Sequence, residues 1–377
     1  MHKPLSLFAV LLLFLGPCLH AETIAPFVMP SARYSALGGN HAALADDFYA
    51  LFTNPAAFVG VNREFSVAEL SLRTYGPVFE IIDLLLAHSD SWDDLDLSGI
   101  VGDSGFAAGF DFGGPLSVGW VGKGLGLGLF SRMKTDARVS GTQLRPNVSS
   151  ELLLLGGYSF RLVNKNSHVL DSGFLGKGFF RAGLDFSASI LNAEKMFDDA
   201  FEKPFTTILG LGFDLGIKYS FAKSFSAALV CYDAYSPALV TTYRSMESFK
   251  NKESPVEDGH YATVKPRLDL GLRYSIRSTF LDKYISDIIL LADYHDFLEA
   301  MSIIPRNPIL EIGLGLEVVI LEKLKLRIGI NDALPAAGFG LDLTFMKFDC
   351  SIYGKELGLD PGLNSVYAMD FALLFRY

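Results

Sequence analysis

Leu209-Gly210-Leu211-Gly212-Phe213-Asp214-Leu215-Gly216-Ile217-Lys218-Tyr219-Ser220-Phe221 alternates without a break: each odd position carries a large apolar side chain, and each even one a glycine, a serine or a charge. Successive side chains of a strand point to opposite faces, whereas a helix would scatter Asp214 and Lys218 around its circumference, so this stretch reads as a strand with one greasy face. The same rule holds outward from it. In 268–276 the apolar set is Leu268, Leu270, Leu272, Tyr274 and Ile276, opposed to Asp269, Gly271, Arg273 and Ser275. In 310–320 Leu, Ile and Val alternate with Glu311, Gly313, Gly315 and Glu317, and in 323–331 the polar set is Lys323, Lys325, Arg327, Gly329 and Asn331.

The pattern predicts strands near 64–75, 104–121 (with a bulge at Gly113, Gly114 and Pro115), 124–140, 149–163, 177–194, 205–221, 225–243, 262–278, 285–297, 308–321, 323–332, 336–345, 347–355 and 364–377. That is about fourteen. Tight links at 121–124, 222–224, 322 and 346 alternate with longer ones at 76–103, 141–148, 195–204, 244–261, 298–307 and 356–363. The polar, Gly-containing link 164–176 is the exception. Short turns on one side and long loops on the other are the mark of an up-and-down membrane barrel, and an even strand number returns both ends to one side.

Half of the chain is hydrophobic and 36 glycines accompany 31 phenylalanines and 15 tyrosines, yet after the first 21 residues no run approaches a membrane-spanning helix. In hydrocarbon every backbone amide must be paired, so strands cross a bilayer only as a closed barrel. The reading is therefore all-β: a transmembrane antiparallel up-and-down β-barrel with glycines and the charges of Asp214, Lys218, Asp269, Arg273, Glu311, Glu317, Lys325, Arg327, Asp342 and Arg376 turned into the lumen. Gly122, Gly124, Gly126 and Gly128 read as a side-chain-free lumen stripe on the third strand.

Lys3, the apolar run Leu5 to Leu15 and the small Ala21 form a secretory signal over 1–21. Its removal leaves 31 basic against 42 acidic residues, a charge of -11, which excludes a nucleic-acid partner. Cys231 and Cys350 fall on the apolar face and are expected as free, lipid-facing thiols. At the C-terminus, Tyr367, Met369, Phe371, Leu373, Phe375 and Tyr377 face one way, opposed to Ala368, Asp370, Ala372 and Arg376. Tyr367, Phe371, Phe375 and Tyr377 resemble the terminal signal read by the barrel-assembly machinery.

Residues 22–62 break the strand rule. Arg33-Tyr-Ser-Ala-Leu-Gly38-Gly39-Asn-His, an Ala-rich run ending at Asp46 and Asp47, and Asn54-Pro55-Ala56-Ala57-Phe58 follow one another over some 25 residues. This order resembles the N-terminal hallmark of the FadL family of long-chain fatty-acid transporters and of related outer-membrane barrels. The resemblance implies a fourteen-stranded barrel, 63–377, with 22–62 as a hatch in its lumen. It also implies passive uptake of hydrophobic small molecules such as fatty acids. A scaffold or secretion role and a general porin are the alternatives. Gly38 and Gly39 permit close backbone approach, the Ala-rich run suits a short helix, and Pro55 stops it.

Candidate ligand and gating residues are accordingly Gly38, Gly39, Phe52, Asn54, Pro55 and Phe58. Phe79, Ile82 and Leu85 join them from an apolar loop that precedes the acidic stretch Asp90 to Asp96. Lipid, a hydrophobic ligand and the assembly machinery are the expected partners, with the chain a monomer in the outer membrane. The seven histidines show no metal-ligand spacing, no nucleophile elbow, P-loop or His-Glu-x-x-His occurs, and no catalytic residue, metal or cofactor is expected.

Overall fold

The computed structural model describes residues 22–77, 106–140, 143–189, 202–222, 224–276 and 284–376. The signal segment 1–21, the apolar loop with Phe79, Ile82 and Leu85, and Tyr377 lie outside the described residues.

Fourteen staves close into a ring: β1 Glu64–Tyr75, β2 Phe106–Gly122, β3 Leu125–Ser140, β4 Gln143–Lys165, β5 His168–Asp185 and β6 Phe205–Phe221, then β7 and β8, each in two pieces. β7 comprises Phe225–Tyr235 and Pro237–Tyr243, and β8 Glu257–Val264 and Arg267–Ile276. The ring continues with β9 Ile285–Tyr294, β10 Ile312–Ile320, β11 Leu324–Asn331, β12 Leu334–Leu343, β13 Met346–Glu356 and β14 Ser365–Arg376. Each stave pairs antiparallel with its neighbours in sequence, and β14 closes on β1 through pairs such as Leu373 with Leu70. All fourteen expected strands are present. The bulge appears as a register shift between Gly113 and Ser117, with Gly114 at φ 104.

The alternation turns the apolar set outward. Leu209 and Leu211 are 61% and 62% exposed, whereas Asp214 between them and Lys218 is 4% exposed. An outward greasy band around a closed sheet, with buried charges inside, is a membrane solvent interface and not a soluble core. On β14, Tyr367, Phe371 and Phe375 share the outward face, opposite Ala368, Asp370 and Ala372. Cys231 and Cys350 are free thiols on half-buried positions.

Two links differ from the expectation. The 164–176 connection is a two-residue turn, Asn166-Ser167, with φ of 47 and 71, the mirror-image geometry that matches strand twist. Its polar flanks are strand residues of a hairpin that projects past the apolar band into water, where polarity is no loop signal. Likewise most of 141–148 belongs to β4, which begins at Gln143. Gly122 and Gly124 belong to the β2–β3 turn, at φ 146 and 84, and not to the lumen stripe.

Candidate functional site: the filled lumen

Residues 29–58 are almost wholly buried and touch staves all round the ring. Helix α1, Ala32–Ala36, starts at Ser31, whose hydroxyl accepts from the Tyr34 amide at 3.5 Å. Helix α2 is Ala50–Thr53, followed by a 3-10 turn, Pro55–Val59. The Ala-rich run 42–45 is a turn between these helices and not itself helical, because His41, Ala42 and their neighbours spend their polar groups on the barrel wall. Pro55 opens the 3-10 turn where it was expected to end a helix. Its missing N–H falls at a position that has no helical acceptor anyway. Asn54 joins the two: its carbonyl oxygen accepts from the Ala56 amide and its amide donates to Ala42 O, each at 2.9 Å.

One side of this segment is held by charge. Arg33 donates to Asp46 at 2.8 Å, to Asp47 at 2.7 Å, and to both oxygens of Glu317 on β10 at 2.8 and 3.1 Å. Glu317 also takes Arg327 of β11 at 2.7 Å. Burial alone would pull the Arg33 guanidinium down, but Asp46, Glu317 and Asp47 hold it well above its ordinary value. Ser35 donates to Asp370 of β14 at 2.6 Å, and that carboxylate is bracketed by Arg73. His41 sits between Asp293 of β9, at 2.5 Å, and Leu37 O, at 2.8 Å, while Asp293 also accepts the Ala42 amide at 2.9 Å.

Gly38, at φ 89, is where the backbone turns against the wall. A Cβ there would lie 2.3 Å from Ile330 O and 2.5 Å from Leu314 O, so only glycine fits by both conformation and space. Gly39, at φ 111, completes the turn.

The opposite side is apolar. Phe48, Leu51 and Phe58 pack on Phe130 of β3 and on Leu153, Leu155 and Leu175 of β4 and β5. Gly126 of β3 makes room: a Cβ there would meet Leu51 and Phe58, each at 2.8 Å. The Gly124 amide donates to Phe58 O at 3.0 Å, tying the end of the segment to the β2–β3 turn.

Above this packing, on the loop side, two cavities adjoin. One, of about 190 Å³, is lined by Phe27, Met29, Leu51, Phe52, Leu153 and Leu155 on one wall and by Lys177, Asp214, Asp233 and Lys265 on the other. Its neighbour, of about 270 Å³, collects Arg73, His295, Arg306 and Lys355 with Glu311 and Asp332. Val28, Met29, Asn40 and Arg267 line both. On the turn side lies a charged vestibule of about 680 Å³ reached by Arg33, Asp46, Asp47 and Lys347, which shares no lining residue with the two cavities above.

Of the candidate residues, Phe52 lies on the apolar cavity, with its ring edge on Phe130 at 4.8 Å. Gly38 and Gly39 form the turn on the wall, Asn54 and Pro55 build the α2 junction, and Phe58 is fully buried beneath it. Sequence reading passed over His41, Ser35 and Asp293. The one available signal was that His41 directly follows the Gly38-Gly39-Asn40 turn.

No family model matches the chain, and no curated protein matches it. Solved structures do. The CymD monoaromatic hydrocarbon channel superposes with a TM-score of 0.50 at 10% identity, over 93% of this chain and 97% of that one. The fold is that of CymD. A Pseudomonas aeruginosa FadL homologue (TM-score 0.47, 11% identity, 94% and 99% covered) is also similar. So is the Ralstonia pickettii toluene transporter TbuX (TM-score 0.46, 11% identity, 95% and 98% covered).

Proposed function

We propose that the protein is an outer-membrane channel for passive entry of hydrophobic small molecules, with residues 22–62 as a hatch that must shift to open the path. The observation that carries this is the pair of adjoining cavities on the loop side of a lumen otherwise filled by protein. A chamber with one apolar and one charged wall, adjoining a second in which cations outnumber carboxylates, suits a ligand with a greasy body and an acidic end, and long-chain fatty acids are the class we favour. Arg73, Arg267 and Arg306 each already face a carboxylate, whereas Lys355 makes no ion pair among the described residues. An incoming carboxylate would therefore gain most at Lys355. The filled lumen argues against a general porin.

A second reading is a neutral monoaromatic ligand held against the apolar wall of the 190 Å³ chamber. Binding of a fluorescent fatty acid to refolded protein, competed by palmitate or by toluene, separates the two. Palmitate should compete, and Lys355→Met should weaken it several-fold while leaving toluene unchanged. Competition by toluene alone would transfer the reading to aromatic ligands. Fatty-acid binding at background level would overturn the first reading, and direct calorimetry that detects no toluene binding would overturn the second.

A further inference from the structure

The barrel wall is uneven in height. β9, β10 and β11 have 10, 9 and 8 residues, against 23 in β4 and 18 in β5. A tilted strand needs roughly 9–11 residues to cross the hydrocarbon, so on the β9–β11 side the membrane-spanning part ends where the strand ends. The loop from 295 to 311 therefore starts at the edge of the bilayer. Two aromatic rings mark that edge: Tyr294, on the lipid-facing row of β9, meets Phe297 edge-on at 6.1 Å. Tyr and other aromatic side chains gather at this level in membrane barrels. The row continues through the outward, exposed Ile309, Ile312 and Leu314.

Within this loop Ile303 is fully exposed, and Met301 and Ile304 are 78% and 70% exposed. The loop is not slack. Glu299 pairs with Lys265, and Arg306 reaches Asp332 at 2.9 Å, Glu311 at 3.2 Å and Glu356 O at 2.8 Å. Asn307 bonds Leu359 O and Asp360 at 2.9 and 3.0 Å, which ties the loop to its neighbour at 357–364. Both flanks are pinned, and the three apolar tips between them are held away from the protein instead of folding back onto it. A pinned apolar tip contiguous with the lipid-facing band has one natural solvent.

We propose that Met301, Ile303 and Ile304 insert into the acyl layer of the outer leaflet and extend the apolar band on the side where the strands are shortest. The inference rests on the membrane-barrel fold and is independent of which ligand the lumen takes. The test is depth measurement by spin labelling. Protein with Cys18, Cys231 and Cys350 all replaced by alanine is labelled at Ile303→Cys, reconstituted into phosphatidylcholine vesicles, and compared with labels at Leu314→Cys and Asp360→Cys.

The ratio of oxygen to nickel-chelate accessibility at 303 should match the lipid-facing 314 and exceed that at 360 several-fold, with or without palmitate. A ratio equal to that at 360 would overturn the proposal. So would a label that leaves water only when palmitate is added, which would make the tip a ligand-capture surface. Dipolar broadening between copies would assign it to a second molecule of this chain instead. If Ile303→Cys does not fold, Ile304→Cys carries the same comparison.

Discussion

The two flanks of the luminal segment are held by different physics. From Ala32 to Ala42 the segment meets β9 to β14 through buried ion pairs and hydrogen bonds centred on Arg33, Ser35 and His41. From Phe48 to Val61 it meets β2 to β6 through Phe48, Leu51 and Phe58 packed on aliphatic and aromatic side chains. Apolar packing is non-directional and tolerates small slides, whereas a guanidinium locked on three carboxylates has one register. The charged flank specifies where the segment sits, and the apolar flank supplies adhesion. A hatch that shifts would let go of the charged flank as a unit and slip on the apolar one.

The sharpest way to break the charged flank is Gly38→Val. Its cost should run well beyond the roughly 1–3 kcal/mol of a strained backbone alone, because the new Cβ would meet two carbonyl oxygens of the wall. We expect the segment not to seat, seen as trypsin cleavage within residues 22–62 in intact outer membranes.

Arg33→Met comes next. It leaves Asp46, Asp47 and Glu317 without their shared cation, a loss of about 3–5 kcal/mol, and should produce frequent open-channel events in planar bilayers. Phe58→Ala tests the other flank. It should cost about 3 kcal/mol in denaturant unfolding while leaving the conductance closed, because the charged flank still fixes the register.

Acid separates the flanks without mutation. Burial would raise the Asp47 carboxyl, but Arg33, Lys347 and Lys325 bring it below its ordinary value. A depressed carboxyl contributes stability that is complete above about pH 4 and lost as pH falls further. Channel opening should therefore increase below about pH 4 in the native protein, and the Arg33→Met protein should show no such step. The smallest effect on stability is expected for Phe52→Leu, under about 1.5 kcal/mol, with several-fold weaker binding of fluorescent fatty acid at the apolar cavity.

Much of the barrel was legible because period two over a membrane strand has a single reading: Leu209 to Phe221 could be nothing else, and its neighbours repeat it. The links were less so. Arg161, Lys165, His168 and Asp171 look like a loop, and only the position of the apolar band along the barrel shows that strands carry them in water. The luminal segment was legible as an exception to the pattern, through Arg33, Gly38 and Asn54-Pro55. What the sequence could not show is pairing at long range. Arg33 and Glu317 stand 284 residues apart, and His41 and Asp293 stand 252 apart. No local spacing connects residues that meet only after a ring of fourteen strands has closed.

Residues 29–58 fill the lumen, and the uptake proposed above requires this segment to move for the ligand to pass. Ser35 and Asp370, joined by a 2.6 Å hydrogen bond, supply the most direct test. With Ser35→Cys and Asp370→Cys in protein lacking Cys18, Cys231 and Cys350, oxidation or a short bis-maleimide should link the segment to β14 in nearly every molecule. Fatty-acid uptake into proteoliposomes should then stop, and for the disulfide it should return on reduction. Failure to cross-link would contradict the placement of the segment, and undiminished uptake through the linked protein would contradict its role as the hatch.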